Sequence, residues 1–278
     1  MNPAGVLHAD WLVPQWPAPA GVRAVFTTRA GGVSAAPFDA LNLGSHVGDQ
    51  PSSVAANRAA LQRALGTCRP AFLNQVHGSR VEQLWPGSPD GQSADACLTN
   101  CPKLSCTVMV ADCLPVLLAT QDGRVVAAAH AGWRGLAGGL KGSGPGIVES
   151  IYASFGAMAQ CGRTYSATKL IAWLGPCIGP SAFEVGAEVK AAFTVGQPGA
   201  ARLFVRIGPD KYLADLAGLA RQRLQALGIT QIYGNDASPS WCTVGNPSRF
   251  FSHRRDAGLA GNGFGTTGRM AACIWRDG

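Results

Sequence analysis

Residues 108–135 read VMVADCLPVLLATQDGRVVAAAHAGWRG, and this stretch decides the expected fold. A tight turn is predicted at Gln121-Asp122-Gly123, between two apolar segments. The pattern predicts a buried β-hairpin, in which the start of the first strand and the end of the second strand lie at the same end of the sheet. Cys113 precedes the first strand and His130 follows the apolar part of the second, so the thiol and the imidazole are expected to approach each other, although periodicity leaves the register open.

A third candidate site residue is His77, which precedes Gly78, where the backbone can turn sharply. His77 lies in the motif Gln75-Val76-His77-Gly78. Three further motifs follow it along the chain: Ala111-Asp112-Cys113, His130-Ala131-Gly132-Trp133-Arg134-Gly135 and Gly175-Pro176-Cys177-Ile178-Gly179. Together, in this order, the four motifs resemble the YfiH family, also called the multicopper polyphenol oxidase or laccase-domain family.

The resemblance extends over nearly the whole chain. Further matches lie at 28–34, 41–44, 47–49, 183–186, 254–256 and 268–269. Because the matches run from about residue 11 to residue 275 with no linker between them, we expect residues 1–278 to form one unit. One departure from the family is an insertion at 257–265, which neighbours Arg255 and would reshape the rim of a pocket.

Strands of mixed length alternate with a few helices in the predicted pattern, which favours an α/β fold. Helices are predicted at 51–65, 147–160, 184–193 and 215–227. Ser52 or Ser53 is expected to cap the first of them. Further strands are predicted at 22–27, 81–84, 170–174, 229–233 and 269–275. The resemblance implies more than the pattern does: a single-domain, four-layer α/β/β/α fold with mixed sheets, grouped with deamidating toxins.

The net charge of +7 comes from positive residues that are dispersed along the chain. Proteins that bind nucleic acids cluster their lysines and arginines on one face. Here Arg254 and Arg255 are the only adjacent arginines. We therefore expect no nucleic-acid partner, and a surface on which some arginines bind small anions.

The cysteines are expected to be reduced. Nine is an odd number in a chain far longer than a disulfide-stabilised mini-domain, and residues 1–19 lack the apolar region of a secretory signal. No run of about 18 apolar residues is present, so no membrane span is expected. Cys97 and Cys101 have a spacing found in zinc sites, but together with Cys106 they lack a fourth ligand and are expected to be buried. These features predict a cytoplasmic protein, either a monomer or a homodimer.

His77, Cys113 and His130 together offer two imidazoles and one thiolate, a set that binds Zn²⁺ with an open fourth position. An open zinc ion polarises a phosphate oxygen or lowers the pKa of bound water toward about 7. Hydrolytic deamination of a purine uses such a water together with a carboxylate that carries the proton. Asp95 and Asp112 are the candidate carboxylates, and Asp95 is otherwise either a hydrogen-bond partner of a ligand or a turn cap.

The same donor set suits Cu²⁺, because blue-copper sites use two histidines, a cysteine and a weak axial methionine. Met109 lies four residues before Cys113 and is a candidate for the axial ligand. A trinuclear copper cluster is built largely from histidines, and this chain has five in all, so a laccase-like polyphenol oxidase activity would depend on a single copper ion. Cys177 is a further candidate ligand, although a cysteine between a strand and a turn usually packs in the core.

The resemblance implies a purine nucleoside phosphorylase that acts on adenosine, inosine, guanosine and S-methyl-5′-thioadenosine, with adenosine deaminase activity. Phosphorolysis needs an anion site that holds phosphate against the anomeric carbon. Arg29, Arg134 and Arg255 are the arginines in matched motifs that would provide this site, and Asn42 is a further candidate for substrate contact. Arg134 would equally brace its glycine-rich loop by donating to carbonyl groups.

Two other classes of function stay open from the sequence. In a cysteine hydrolase or amidase, Cys113 is the nucleophile, His130 is its base, and His77 or Asp112 orients the base. In a non-enzymatic interaction domain, the same three residues hold a structural zinc ion. An open metal position would support the phosphorylase, a metal-free reactive thiol the hydrolase, and a closed tetrahedron the structural role.

Overall fold

The computed structural model describes residues 5–139, 144–158, 166, 169–257 and 266–277. Its strands, in chain order, are β1 (Val22–Phe26), β2 (Arg69–Asn74), β3 (Val81–Gln83), β4 (Gln92–Ser93), β5 (Ala96–Thr99), β6 (Leu104–Val110), β7 (Leu114–Thr120), β8 (Val126–Ala131), β9 (Leu170–Leu174), β10 (Glu184–Gly186), β11 (Phe204–Gly208), β12 (Lys211–Ala214), β13 (Gln231–Gly234) and β14 (Met270–Arg276). The α-helices are α1 (Pro51–Ala64), α2 (Trp133–Ala137), α3 (Ile147–Met158), α4 (Ala187–Thr194), α5 (Leu216–Ala226) and α6 (His253–Ala257).

These strands form two large mixed sheets and one small sheet. The first sheet has the order β1-β14-β6-β2-β4, and the second has the order β13-β9-β7-β8-β5-β3. In the first sheet β6 pairs antiparallel with β14 and parallel with β2, and in the second β9 pairs antiparallel with β7 and parallel with β13. The third sheet contains β10, β12 and β11.

The predicted hairpin is present at the centre of the second sheet. Strands β7 and β8 pair antiparallel, with Leu114 opposite Ala131 and Pro115 opposite His130. The turn between them is closed by the Thr120 hydroxyl, which donates to the Asp122 carboxylate at 2.6 Å. This register places Cys113, which immediately precedes β7, at the same end of the strand pair as His130.

The core consists of three apolar clusters: one between α3, α5 and the second sheet, one between the two large sheets, and one between the first sheet and α1. Side chains that alternate along each strand belong to different clusters. On β7, Val116 and Leu118 pack with α3 and α5, whereas Leu117 and Ala119 pack against the first sheet. On β6 of the first sheet, Val108 faces the second sheet, and Met109 faces α1 on the opposite side. This period-2 alternation confirms the four-layer α/β/β/α fold, because both faces of each large sheet are covered.

Two local predictions are wrong. The predicted helix 184–193 begins later, at Ala187, because residues 184–186 pair antiparallel with β12, and this pairing overrides local helix propensity. The predicted serine cap of α1 is absent: Gln50 precedes the helix without a side-chain cap bond, and Pro51 occupies the first turn. Proline suits that position because its missing N–H has no intrahelical acceptor there and its φ is already helical.

The other predicted elements agree with the structure to within a few residues at their ends. The last two residues of the predicted helix 147–160 lie outside the described residues, as does the predicted insertion 257–265 apart from Ala257. None of the helices in the described ranges has the length and apolar character needed to cross a bilayer.

Candidate metal and substrate site

Three side chains from separate parts of the chain converge at one end of the central strands of the second sheet. His77 follows the end of β2, Cys113 precedes β7, and His130 lies within β8. Their ligand atoms all lie within 4.8 Å of one another. The Cys113 Sγ is 3.8 Å from the His77 Nε2, and the two imidazole rings are 4.7 Å apart at 79°. The structure thus brings together the three predicted ligands.

Asp95 fixes both histidines at once. Its Oδ1 lies 2.8 Å from the His130 Nδ1 and accepts the His77 backbone N–H at 2.9 Å, while its Oδ2 accepts the N–H groups of Gly78 at 2.7 Å and Val76 at 3.2 Å. The carboxyl group is fully buried, and although burial raises its pKa, the hydrogen bonds from His130 and the backbone bring the pKa below its usual value. An ionised Asp95 accepts the His130 Nδ1 proton and leaves Nε2 free for a ligand.

The backbone around His77 is held in an unusual conformation. His77 has a φ of 60°, in the left-handed region that non-glycine residues rarely adopt. The three successive N–H groups of residues 76–78 all point at Asp95, an arrangement that forms a concave anion site in the backbone. The buried carboxylate therefore stabilises a strained conformation that aims the His77 ring at Cys113.

Gly132 provides the space in which the three side chains meet. A Cβ atom at this position would lie 2.9 Å from the His77 Cδ2 and 3.2 Å from the Cys113 Sγ. Any side chain here would push the imidazole and the thiol apart. The glycine that follows His130 and Ala131 is therefore required by the site.

Asp112 connects the site to the C-terminal part of the chain. Its Oδ1 accepts the Thr243 hydroxyl at 2.5 Å, and its Oδ2 accepts the Arg254 backbone N–H at 2.6 Å. The carboxylate that orients His130 is Asp95, so the predicted choice of His77 or Asp112 for this role in a hydrolase is wrong. Asp112, which immediately precedes Cys113 and has a φ of 91°, instead ties this position to Thr243 and Arg254 through its carboxylate.

The thiol and the imidazole of Cys113 and His130 stabilise each other's charged forms. Burial raises the pKa of Cys113, but the neighbouring His130 and His77 outweigh it and lower the pKa to about 6. Burial lowers the pKa of His130, but the charges of Cys113 and Asp95 and their hydrogen bonds raise it to about 9. In the metal-free protein Cys113 is therefore a thiolate at neutral pH, the form that binds metals and attacks electrophiles.

A cavity of about 310 Å³ opens over the three residues. One part of its wall is apolar and includes Val110, Trp133, Ile178, Phe183 and Leu216. Another part carries the basic side chains His46, His253, Arg254 and Arg269. The cavity therefore offers both apolar and basic side chains around the ligand cluster, and Met109 also lines it.

The predicted phosphate-binding arginines lie elsewhere. Arg29 donates to the carbonyl groups of Asp39 and Pro247 and pairs with the Asp39 carboxylate at 3.1 Å. Arg255 pairs with Asp256 at 2.7 Å and donates to the carbonyl groups of the 243–250 segment. Both guanidinium groups thus join loops, and neither lines the cavity.

Arg134 and Asn42 also lie outside the cavity lining. Arg134 is exposed and stacks over the Trp133 ring at 4.6 Å. Asn42 is buried, and its Oδ1 accepts the backbone N–H groups of Gly44 and Arg269, each at 2.9 Å. The amide of Asn42 therefore positions Arg269, which does line the cavity.

The four basic residues that line the cavity outside the ligand cluster were not predicted as site residues: His46, His253, Arg254 and Arg269. Arg269 lies beside Cys113 because Met270 of β14 pairs with Val110 of β6, immediately before the Ala111-Asp112-Cys113 motif. This pairing joins segments that are distant in sequence, and a single sequence does not contain its register. The match of 268–269 to the family was the one available signal for Arg269.

The remaining candidate cysteines have structural positions. Cys97 and Cys106 are fully buried between the two large sheets. Burial raises the pKa of Cys177 well above its usual value, and its Sγ lies 3.4 Å from the Asn235 Nδ2. Within the described ranges, no fourth His, Cys, Asp or Glu joins the group of His77, Cys113 and His130.

Comparison with known proteins gives a consistent result. The family model described as multi-copper polyphenol oxidoreductase laccase matches residues 23–277. A protein of Pseudomonas aeruginosa named purine nucleoside phosphorylase is 45% identical over 266 residues, which cover 95% of this chain and 98% of that protein. The purine nucleoside phosphorylase YfiH of Escherichia coli K12 is 46% identical over 265 residues, with coverage of 95% and 98%.

Solved structures show the same similarity along the whole chain. A crystal structure of a Neisseria meningitidis protein has a TM-score of 0.81 at 43% identity and covers 97% of this chain and 100% of that one. YlmD from Geobacillus stearothermophilus has a TM-score of 0.85 at 30% identity and covers 99% of both chains. The arrangement of sheets and helices is therefore shared with these proteins.

Proposed function

The chain belongs to the YfiH or laccase-domain family, and from this membership we propose that it is a metal-dependent purine nucleoside phosphorylase. The observation that carries the proposal is the cluster of His77, Cys113 and His130, held by Asp95 at the floor of a cavity with an apolar and a basic wall. The relatives named above supply the reaction, and the cluster supplies the place where it would occur.

The three residues fit a zinc ion. Tetrahedral zinc with Zn–N of about 2.0 Å and Zn–S of about 2.3 Å places neighbouring ligand atoms about 3.5 Å apart. The measured 3.8 Å between the Cys113 Sγ and the His77 Nε2 is close to this value. The contact from His130 to Asp95 is the carboxylate–histidine pair typical of zinc sites. We propose Zn²⁺ as the resident metal, with Cu²⁺ as the alternative that the same donors and the family description suggest.

When bound, the metal supplies a Lewis acid for a substrate oxygen at the floor of the cavity. Three protein ligands leave a tetrahedral ion one position for a substrate or water, which is the arrangement of catalytic sites. A closed structural site would need a fourth protein donor, and none of the candidate types joins the cluster within the described part of the chain.

Phosphorolysis of a nucleoside is a substitution at the anomeric carbon. An oxygen of HPO₄²⁻ forms a bond to C1′ of the ribose while the bond from C1′ to the purine nitrogen breaks. The bonding electrons leave with the purine, and the phosphate proton ends on that base, giving ribose 1-phosphate. The protein's part is to hold phosphate and nucleoside in line and to stabilise the charge that develops.

The apolar wall suits the purine. Trp133 and Phe183 offer flat aromatic surfaces, and Ile178 and Leu216 extend the same wall. We expect adenosine, inosine, guanosine and S-methyl-5′-thioadenosine to bind with the base against this surface. The basic side chains of the lining suit the phosphate anion.

Adenosine deamination is a second reaction that we propose for the same cavity. An open site with imidazole and thiolate donors is of the kind used by zinc deaminases, which also need a free carboxylate to carry the proton. Asp95 already accepts from His130 and three backbone N–H groups, and Asp112 accepts from Thr243 and Arg254. Because both carboxylates are engaged, we expect deamination to be slower than phosphorolysis.

One observation favours a cysteine hydrolase as the alternative. Cys113, His130 and Asp95 form the sequence of nucleophile, base and orienting carboxylate, and the pKa of Cys113 is lowered to about 6. His77 has no necessary role in such a triad, whereas the metal site requires it. A functional requirement for His77 therefore separates the two candidates.

The test combines metal analysis with a phosphate-dependent assay on adenosine and inosine, for wild type and Cys113→Ala. We expect about one zinc ion per chain and ribose 1-phosphate formation by wild type, both lost in the variant. A metal-free wild type that forms no ribose 1-phosphate, and whose Cys113 is alkylated by iodoacetamide, would overturn the proposal in favour of the hydrolase. Copper in place of zinc, with polyphenol oxidation and no phosphorolysis, would favour the oxidase.

A further inference from the structure

The basic wall of the cavity has no acidic counterpart. Asp112 is the only acidic residue among the described residues that line the cavity, and both of its oxygens accept hydrogen bonds from Thr243 and Arg254. Neither Arg254 nor Arg269 forms an ion pair within the described ranges. Two guanidinium groups therefore line the cavity outside any ion pair, although that of Arg254 also donates to the carbonyl groups of Ala182 and Glu184, at 3.4 and 3.0 Å.

Arg269 is built into its position by the surrounding backbone. Asn42 accepts the Arg269 backbone N–H at 2.9 Å, and the Arg269 Nη1 donates to the carbonyl groups of Thr267 at 2.9 Å and Gly268 at 3.2 Å. A Cβ atom on Gly44 would lie 2.7 Å from the Arg269 Cγ, so this glycine leaves room for the side chain. A buried amide, two carbonyl groups and a glycine thus hold this arginine in the cavity lining.

The positive charges in this part of the cavity are close enough to oppose one another. Burial lowers the pKa of His46, and the charges of Arg269, Arg58 and His77 lower it further. Burial also lowers the pKa of Arg269, while the negative charges of Cys113 and Asp112 act in the opposite direction. Because Arg269 lines the same cavity as His77 and Cys113, an anion bound to its guanidinium would lie next to the ligand cluster.

We propose that Arg269 binds the phosphate co-substrate, with Arg254 as a second cation at the mouth of the cavity. This inference rests on the proposed phosphorylase function. Nucleosides are neutral, so the phosphate is the substrate that a guanidinium pair selects, through charge-assisted and bidentate hydrogen bonds. Arg269 takes the role that the sequence had suggested for Arg29, Arg134 and Arg255, which lie outside the cavity lining.

The test measures KM for phosphate and for inosine separately in Arg269→Met and Arg269→Lys. Loss of charge-assisted hydrogen bonds predicts that KM for phosphate rises about tenfold or more in Arg269→Met and less in Arg269→Lys. KM for inosine and the metal content are expected to stay within about twofold of wild type, since neither depends on this charge. Arg124→Met is the matched control, because Arg124 lies in the turn at the far end of the hairpin.

An unchanged KM for phosphate in Arg269→Met would overturn the inference, and so would a rise confined to the KM for inosine. Thermal unfolding with and without inorganic phosphate is the second measurement, which does not need activity. Phosphate should raise the Tm of wild type and of Arg124→Met, and should have a much smaller effect on Arg269→Met. An equal Tm shift in all three proteins would overturn the anion site. A wild type without phosphorolysis but with the Arg269-dependent Tm shift would refute the proposed function and support the site.

Discussion

Cys106 and Cys113 are neighbours in the chain with opposite chemistry. Cys106 lies inside β6, fully buried between the two large sheets, and burial together with Cys97 raises its pKa well above the usual value. Cys113 lies where the chain leaves β6 for β7, and two imidazoles lower its pKa to about 6. Cys106 belongs to the apolar cluster between the two large sheets, and the partly buried Cys113 packs against the same cluster. The difference shows that position at the end of the strands, next to His77 and His130, lowers the pKa of a cysteine that would otherwise be a buried thiol.

The largest expected effect on activity comes from replacing Cys113, the reactive one of the two cysteines. Cys113→Ala removes the thiolate and one of three ligands, so phosphorolysis should fall by about 10³-fold or more, because the metal contributes several kcal/mol to the reaction. The measurement is the phosphate-dependent rate with inosine, together with the zinc content of the purified variant. Retained zinc and a rate within tenfold of wild type would contradict the assignment of Cys113.

The next effect comes from the residue that holds the histidines. Asp95→Asn keeps the shape but weakens the bond that orients His130, so metal affinity or activity should fall about 10- to 100-fold. The measurement is a zinc competition titration against a chelating dye. Asp122→Asn is a suitable control, because Asp122 lies in the hairpin turn, far from the site.

Asp95 also predicts a pH dependence of stability. Its pKa is lowered in the folded protein despite burial, so its contribution to the free energy of unfolding is present above the unfolded value of about 3.9 and is lost as the pH falls through the lower folded value. Asp95→Asn should therefore be less stable than wild type at neutral pH, and the difference should narrow below about pH 4. Urea unfolding of the metal-free proteins across this range is the measurement, and a constant difference would contradict the prediction.

A smaller effect tests the space around the ligands. Gly132→Ala places a Cβ atom against the His77 ring and the Cys113 thiol, so the ligands must move apart by a few tenths of an ångström. We expect zinc affinity to fall about tenfold with little loss of stability, because the change acts on ligand geometry and not on the core. Gly139→Ala is the control, because a Cβ atom at Gly139 would meet nothing within 4 Å. Its φ of 96° means that this variant reports the cost of backbone strain alone. Equal zinc affinity in Gly132→Ala and wild type would contradict this role for Gly132.

The smallest effect on activity is expected at the other cysteine. Cys106→Ala removes a buried thiol from the core and should lower the free energy of unfolding by about 1 to 2 kcal/mol. Zinc content and phosphorolysis should be unchanged, since Cys106 lies within β6, packed between the sheets, and is not one of the three ligand residues. Loss of zinc in this variant would show that the comparison between the two thiols is mistaken.

The hairpin follows from local sequence, whereas His77 was identified through its matched motif. An apolar segment, an Asp-Gly turn and a second apolar segment predict that β7 and β8 pair, and the observed register brings Cys113 to His130. The four layers follow from the resemblance, and the alternation along β6 and β7 shows why they form. The prediction failed for residues 184–186, where pairing with β12 overrides helix propensity.

The rest of the site depends on contacts between distant segments. Asp95 was a candidate, but its four hydrogen bonds to residues 76–78 and 130 become visible only when β5, β8 and the end of β2 are placed together. Arg269 reaches the cavity through the pairing of β14 with β6. Arginines in matched motifs were natural candidates for phosphate, yet Arg29 and Arg255 make hydrogen bonds to loop carbonyls. A motif match does not distinguish an arginine that binds substrate from one that holds loops together by donating hydrogen bonds to their carbonyl groups.

The central claim is that His77, Cys113 and His130 hold one metal ion with an open position. Zinc-edge X-ray absorption of the purified protein tests it most directly. We expect one sulfur at about 2.3 Å and two imidazole nitrogens at about 2.0 to 2.1 Å, with one further light atom from water or substrate. The sulfur signal should disappear in Cys113→Ala and persist in Cys106→Ala. A zinc ion without sulfur, or with two or more sulfur ligands, would contradict the account.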